Sequence, residues 1–184
     1  MNLQNLFELQ KQLDEHIEKK HPRKEGEDRL SKKILALQVE LAECAQESRC
    51  FKFWSSRQEP VTKDLRVVDY KESGEAILET YNPLLEEYVD CLHFILSIGL
   101  ELNIPVIYGT ETKWDELTSD ETDITQQFLL VFENVNKLVH PIDWINLFEE
   151  FYILGKMLGF TWEQVEQAYL NKNNINHQRQ ESGY

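Results

Sequence analysis

The stretch from residue 84 to 102, Leu-Leu-Glu-Glu-Tyr-Val-Asp-Cys-Leu-His-Phe-Ile-Leu-Ser-Ile-Gly-Leu-Glu-Leu, is apolar on nearly every side, yet it carries Glu87 and Asp90 near its start. A helix that is hydrophobic all round is a buried helix, so these carboxylates are drawn to where water solvates them poorly. On a helical wheel Glu87 aligns with Cys91, Phe94 and Ile98, where a core residue would point. A second acidic pair, Glu40 and Glu43, sits in the run Val39-Glu40-Leu41-Ala42-Glu43. Both pairs have the i, i+3 spacing that sets two side chains on one helical face. Two unit charges about 4 Å apart repel by roughly 4 kcal/mol at an effective dielectric of 20, and taking each out of water costs several kcal/mol more. Apart from Lys33 at one end, nothing basic lies on these two faces. Divalent cations would supply the missing charge.

Helical periodicity dominates the rest of the chain. Leu3, Leu6, Phe7, Leu9, Leu13 and Ile17 predict a first helix that stops near Lys19-Lys20-His21-Pro22. A second runs from about Glu27 to Arg49 on a core stripe of Leu30, Ile34, Leu37, Leu41 and Ala45, with the acidic residues beside that stripe. The buried helix ends near Asn103-Ile104-Pro105, where proline removes a donor, and residues 106 to 120 form a polar connection. Phe128, Leu129, Val131, Phe132, Val135 and Leu138 define a further helix. Pro141 starts the next, which carries Trp144, Leu147, Phe148, Phe151 and Leu154 to Gly159. Thr161 and Gln164 form a capping box for a last helix through Tyr169, with a polar tail after Asn171. Ser55-Ser56-Arg57 and Pro60 signal a loop, and Leu65-Arg66-Val67-Val68 is short, so residues 55 to 79 are expected to be mostly irregular. The expectation is an all-α fold, a single domain over 1–184 in which the two acidic helices face one another across a bundle.

The charge balance excludes several functions. The chain has 33 Asp and Glu against 19 Lys and Arg, a net charge of −14, which opposes binding to nucleic-acid backbones and anionic membranes. No apolar run is long enough for a membrane span, and the start lacks a signal-peptide pattern, so a cytoplasmic location is expected. Cys44, Cys50 and Cys91 have no metal-ligand or redox spacing and read as reduced thiols.

A lone Glu-x-x-Glu on a helix is ordinarily a solvated face. Two pairs, one on a helix too apolar for the surface, favour metal ligation by Glu40, Glu43, Glu87 and Asp90. All-oxygen ligands suit a hard ion, and Mg²⁺ combines a few carboxylates with substrate phosphates. The terminal run from Lys172 to Tyr184 concentrates amides and cations in an acidic protein. It reads either as a disordered tail or as a folded element in which Lys172 and Arg179 meet phosphate oxygens and Asn176 reads a polar edge. In Phe51-Lys52-Phe53-Trp54, Trp54 is either ordinary core or a stacking ring beside the Lys52 cation. His93 shares the side of Asp90 and is either a satisfied core histidine or a base contact.

Together, Val39 through Glu43, Phe51-Lys52-Phe53-Trp54-Ser55, Glu86 through Phe94 and the tail pattern Lys-x-x-x-Asn-x-x-Arg-Gln-x-x-Gly-Tyr from Lys172 resemble the dimeric all-α dUTPases, relatives of the MazG-like nucleotide pyrophosphatases. The acidic pairs carry the superfamily, and the aromatic-lysine motif and tail are narrower. The resemblance implies a homodimer that hydrolyses dUTP, and also dUDP, to dUMP with two or three Mg²⁺ ions, Mn²⁺ being a substitute. It implies that Glu40, Glu43, Glu87 and Asp90 ligate the metal and carry catalysis. Lys172, Asn176 and Arg179 would hold the nucleotide in a functional tail over 171–184, and Trp54 and His93 would help form the uracil pocket, with Lys52 beside them. Gln10 matches an expected uracil-contacting glutamine, while Asp14 stands where an amide would be looked for. The separation of the acidic pairs makes residues 55 to 79 look like an insertion. Two other readings remain: a pyrophosphatase for another nucleotide, such as dCTP or one with a damaged base, and a non-catalytic helical protein whose acidic faces bind a partner. A regulatory protein partner is compatible with each.

Overall fold

A computed structural model of the chain describes residues 3–104 and 116–183. Six α-helices and one small two-stranded sheet make up these residues, an all-α fold. The helices are α1 (Leu3–Lys20), α2 (Arg29–Ser48), α3 (Pro83–Glu101), α4 (Ile124–Asn136), α5 (Pro141–Met157) and α6 (Trp162–Ser182), with strands β1 (Asp64–Tyr70) and β2 (Ala76–Tyr81) between α2 and α3. Of the polar connection expected at 106–120, residues 106–115 lie outside the described residues, as do Pro105 and Tyr184.

Local chemistry sets the helix ends. Asp28 caps α2 by accepting from the Ser31 amide at 3.1 Å, and Asn82 caps α3 through the Leu85 amide at 3.1 Å with Pro83 in the first turn. The Thr161 and Gln164 capping box opens α6 as its spacing predicts. The far end of that helix differs from expectation. The chain stays helical to Ser182 and stops on Gly183, whose φ of 78° is the left-handed cap that glycine adopts without strain. Beyond Tyr169 its buried face is polar, with Lys172 and Asn173 both buried, so the apolar stripe vanishes although the helix does not.

The excursion at 55–79 also differs. It forms an antiparallel hairpin, with Asp64 paired to Tyr81 and Tyr70 to Ala76 and an irregularity between Val67 and Asp69. Both of its faces are exposed, including Leu65, Val67, Val68, Tyr70 and Leu78, which removes the in-out alternation that marks a half-buried strand.

The core lies where α3 meets α1, α2, α5 and α6. Leu92, Ile95 and Ile98 of α3 are fully buried with Leu37 and Leu41 of α2 and Phe148 of α5. Cys44 and Cys91 are also fully buried and unoxidised, packed beneath the acidic faces. The Trp144 indole donates to the Ile95 carbonyl at 2.7 Å, which satisfies the polar end of a buried ring. Tyr88 stacks on Phe151 at 4.2 Å and donates its hydroxyl to the Phe151 carbonyl at 3.0 Å. That placement requires Gly155, because a Cβ there would collide with the Tyr88 hydroxyl. No helix among the described residues is long and apolar enough to cross a membrane.

Overpacking a filled core costs about 1–3 kcal/mol. Gly155→Ala is therefore expected to lower the free energy of unfolding by that amount, seen in urea titration as a lower midpoint at unchanged slope.

Candidate active site

Helices α2 and α3 pack side by side and bring their acidic faces together. Glu40, Glu87 and Asp90 each offer a carboxylate oxygen, all within 4.8 Å of one another. Glu43, one turn along α2, is exposed and outside this triad, although its charge raises the pKa of both Glu40 and Glu87. Burial, followed by the neighbouring carboxylates, pushes Glu40 and Glu87 up to about 7 each. Burial also raises Asp90, against the opposing pull of Lys172.

Lys172 supplies the local cation, from a residue distant in sequence. Its ammonium lies 2.6 Å from Asp90 Oδ2 and 2.9 Å from Glu86 Oε1, and the residue is only 8 % exposed. Burial works to lower its pKa, but Asp90 and Glu86 outweigh that and the net shift is upward. Lys33, expected near this charge, instead bridges Asp14 at 3.1 Å and Glu101 at 2.9 Å at the other end of α3. Glu86 also receives Arg66 of β1 at 2.8 Å, so an ion-pair chain runs from the hairpin to Asp90.

A cavity of about 1200 Å³ opens beside the triad among α1, α2, α3 and α6. Glu40, Asp90, Gln10, His93, Asn176 and Arg179 line it, together with Asp14, Lys33 and Ser97. His93 Nδ1 lies 2.8 Å from Gln10 Oε1, and the ring stacks on Tyr169 at 4.2 Å. Burial lowers the His93 pKa to about 3, which keeps the imidazole neutral. Its Nε2 has no hydrogen-bond partner among the described residues. Arg179 reaches Asn176 Oδ1 at 3.4 Å. The far end of α6 is secured to α1 where His16 and His177 meet at 2.9 Å and Glu181 pairs with His16 and Lys20.

Lys52 and Trp54 are not brought to this cavity. After α2 the chain turns through Arg49 in a left-handed conformation, φ 59°, and leaves Trp54 65 % exposed against Phe51 and Phe53. Lys52 lies over the Phe51 ring. Conversely, Glu86, Tyr169 and Ser97 belong to the site's surroundings and were not anticipated there. Tyr169, Lys172, Asn173, Asn176 and Gln180 recur at helical spacing, a stripe that would have exposed the face had polar residues been counted as buried.

A family model described as dUTPase matches residues 2–69 and 76–184. The chain belongs to the dUTPase family, the all-α dimeric branch. Membership supports dUTP hydrolysis as the general activity and a nucleotide as substrate. The unmatched residues 70–75 fall at the tip of the hairpin. No curated protein and no solved structure matches the chain significantly.

Glu40 and Glu87 titrate near 7 in the folded protein and near 4.5 when unfolded, so between these values the folded state holds more protons. Their contribution to stability in EDTA therefore falls as pH rises from about 4.5 to about 7, then levels off. Melting curves at pH 5 and pH 7.5 should show that Glu87→Gln, which cannot ionise, gains stability over the parent at the higher pH; equal behaviour at both values would contradict the raised pKa.

Proposed function

We propose that this dUTPase-family protein is a Mg²⁺-dependent dUTP diphosphatase, a homodimer in the cytoplasm, that hydrolyses dUTP to dUMP and pyrophosphate and also accepts dUDP, releasing phosphate. The observation that carries the reading is the meeting of Glu40, Glu87 and Asp90 beside a cavity that also presents Asn176 and Arg179. These three carboxylates fit a hard divalent ion: their donor set is all oxygen, and their raised pKa values record a site short of positive charge. Glu40, Glu87 and Asp90 would hold two or three Mg²⁺ ions, or Mn²⁺ in their place, with Glu43 joining from the next turn of α2. Bound there, the ions supply charge neutralisation for a phosphate chain and acidify the attacking water.

The chain's own residues supply the rest. Glu40 or Glu43 accepts the proton of the attacking water at a carboxylate oxygen, and the pKa of Glu40, raised to about 7 by burial, suits it to that role. Lys172 and Arg179 offset charge on the phosphate oxygens, as positioned cations do in phosphoryl transfer. Asn176 and Gln10 orient the polar edges of the nucleoside beside His93, whose ring is backed by Tyr169. Selection of the base follows from buried polar groups that a wrong base would leave unpaired, a penalty much larger than that of a lost apolar contact. Residues 171–184, which carry these ligands, then act as a functional part of one domain over 1–184, with residues 55–79 as an insertion in it.

Pyrophosphate release from dUTP should be abolished by EDTA and restored by Mg²⁺, while a panel including dCTP, dTTP and dATP should be turned over poorly. Turnover that survives EDTA would refute the metal dependence. Glu40→Gln should retain its helical circular-dichroism spectrum and lose at least a hundredfold in kcat, the scale associated with general acid–base groups. Arg179→Gln should raise KM for dUTP more than it lowers kcat.

A further inference from the structure

We propose that Asp14 is a positioning residue: by fixing the amide of Gln10 it holds His93 as the Nδ1–H tautomer and leaves a bare Nε2 acceptor for a base edge that carries an N–H. The identity of the base rests on the dUTP reading, whereas the tautomer does not.

Gln10 is 3 % exposed, with its Oε1 2.8 Å from His93 Nδ1 and 2.9 Å from the Tyr169 hydroxyl. A carboxamide can be turned over, exchanging its oxygen with its nitrogen, and the turned form would donate to His93 instead of accepting from it. Asp14 decides between the two. Its Oδ1 is 2.7 Å from Gln10 Nε2, and in the turned form that contact would set two acceptors against each other. Asp14 is itself held as an acceptor by Ser97 Oγ at 2.5 Å and Lys33 Nζ at 3.1 Å, with Lys33 secured by Glu101 at 2.9 Å. Gln10 Oε1 therefore accepts, and His93 Nδ1 carries the proton.

A neutral imidazole has one donor and one acceptor. With Nδ1 donating, Nε2 is left as a lone pair, and it is the buried atom of this cavity-lining residue that lacks a partner among the described residues. The Tyr169 stack, at 4.2 Å and 21°, fixes the plane in which that lone pair points. Uracil presents an N–H at N3, where cytosine presents a second lone pair. A bare acceptor therefore attracts the first base and repels the second. An asparagine at position 14 would keep its oxygen on Lys33 and Ser97 and present its NH2 to Gln10, which favours the turned-over Gln10 and a His93 protonated at Nε2. Asp14 thus acts on base selection through two intermediaries, Gln10 and His93.

The test is a long-range ¹H–¹⁵N correlation spectrum of the histidine side chains, with His93 identified by its loss in His93→Gln. The parent protein at pH 7.5 should show His93 protonated at Nδ1, and Asp14→Asn should show a mixture or a switch to Nε2. In parallel, Asp14→Asn should lower the ratio of kcat/KM for dUTP over dCTP at least tenfold, mainly through KM. A parent His93 protonated at Nε2 overturns the proposal, and that spectrum alone decides should Asp14→Asn fail to fold. An Asp14→Asn variant with parental tautomer and parental discrimination also overturns it. A protein that turns over neither nucleotide would refute the dUTP reading, while the parent spectrum would still decide the role of Asp14.

Discussion

The fold turns on one electrostatic problem, the gathering of Glu40, Glu87 and Asp90 between two packed helices where burial raises their pKa values. Carboxylates in that position need positive charge, and within the chain it comes from Lys172, about eighty positions further along than Asp90. The ammonium can reach Asp90 and Glu86 only if α6 lies across α3, so the ion pair and the docking of the last helix are one event. In a chain with net charge −14, the placement of this one buried cation matters more than the overall balance. Arg66 extends the same network to the hairpin through Glu86, which gives β1 and β2 an anchor despite their exposed faces.

The cavity lining around Gln10 and Asp14 follows a different rule. There Gln10, Asp14, Ser97, Lys33 and Tyr169 join in one connected hydrogen-bonded set. Such a network orders its members, because each donor and acceptor restricts the next. A site with unbalanced charge at the carboxylate triad and a hydrogen-bonded set around Gln10 and Asp14 suits a ligand with a charged chain at one end and a planar polar ring at the other. Preorganisation of this kind reduces what ordering costs when the ligand binds.

How much of this was legible depended on whether a residue's burial could be inferred from its neighbours in sequence. The helices at Leu3–Lys20, Arg29–Ser48, Pro83–Glu101 and Pro141–Met157 announce themselves through apolar spacing and cap residues, and the acidic motifs sit on two of them as expected. The second half of α6 did not announce itself, since Lys172, Asn173 and Asn176 form a buried or half-buried face from residues that composition assigns to solvent. The hairpin failed for the opposite reason: Leu65, Val67 and Leu78 are apolar but exposed, so no alternation separates an inner from an outer face. Trp54 could be placed neither in the core nor at the cavity from its type, and a left-handed turn at Arg49 sets its course.

The sequence by itself determined the all-α class, the presence of an acidic pair on each of two helices and the family pattern, because helical periodicity and i, i+3 spacing are local properties that no partner can alter. Tertiary structure alone decided that Lys172 neutralises Asp90, that Lys33 serves Asp14 instead, and which nitrogen of His93 is left unpaired. These outcomes depend on which helices touch: Lys172 lies 82 positions from Asp90, His93 83 from Gln10 and Lys33 19 from Asp14 on a different helix, and such contacts are fixed by packing, with no trace in the spacing of either partner.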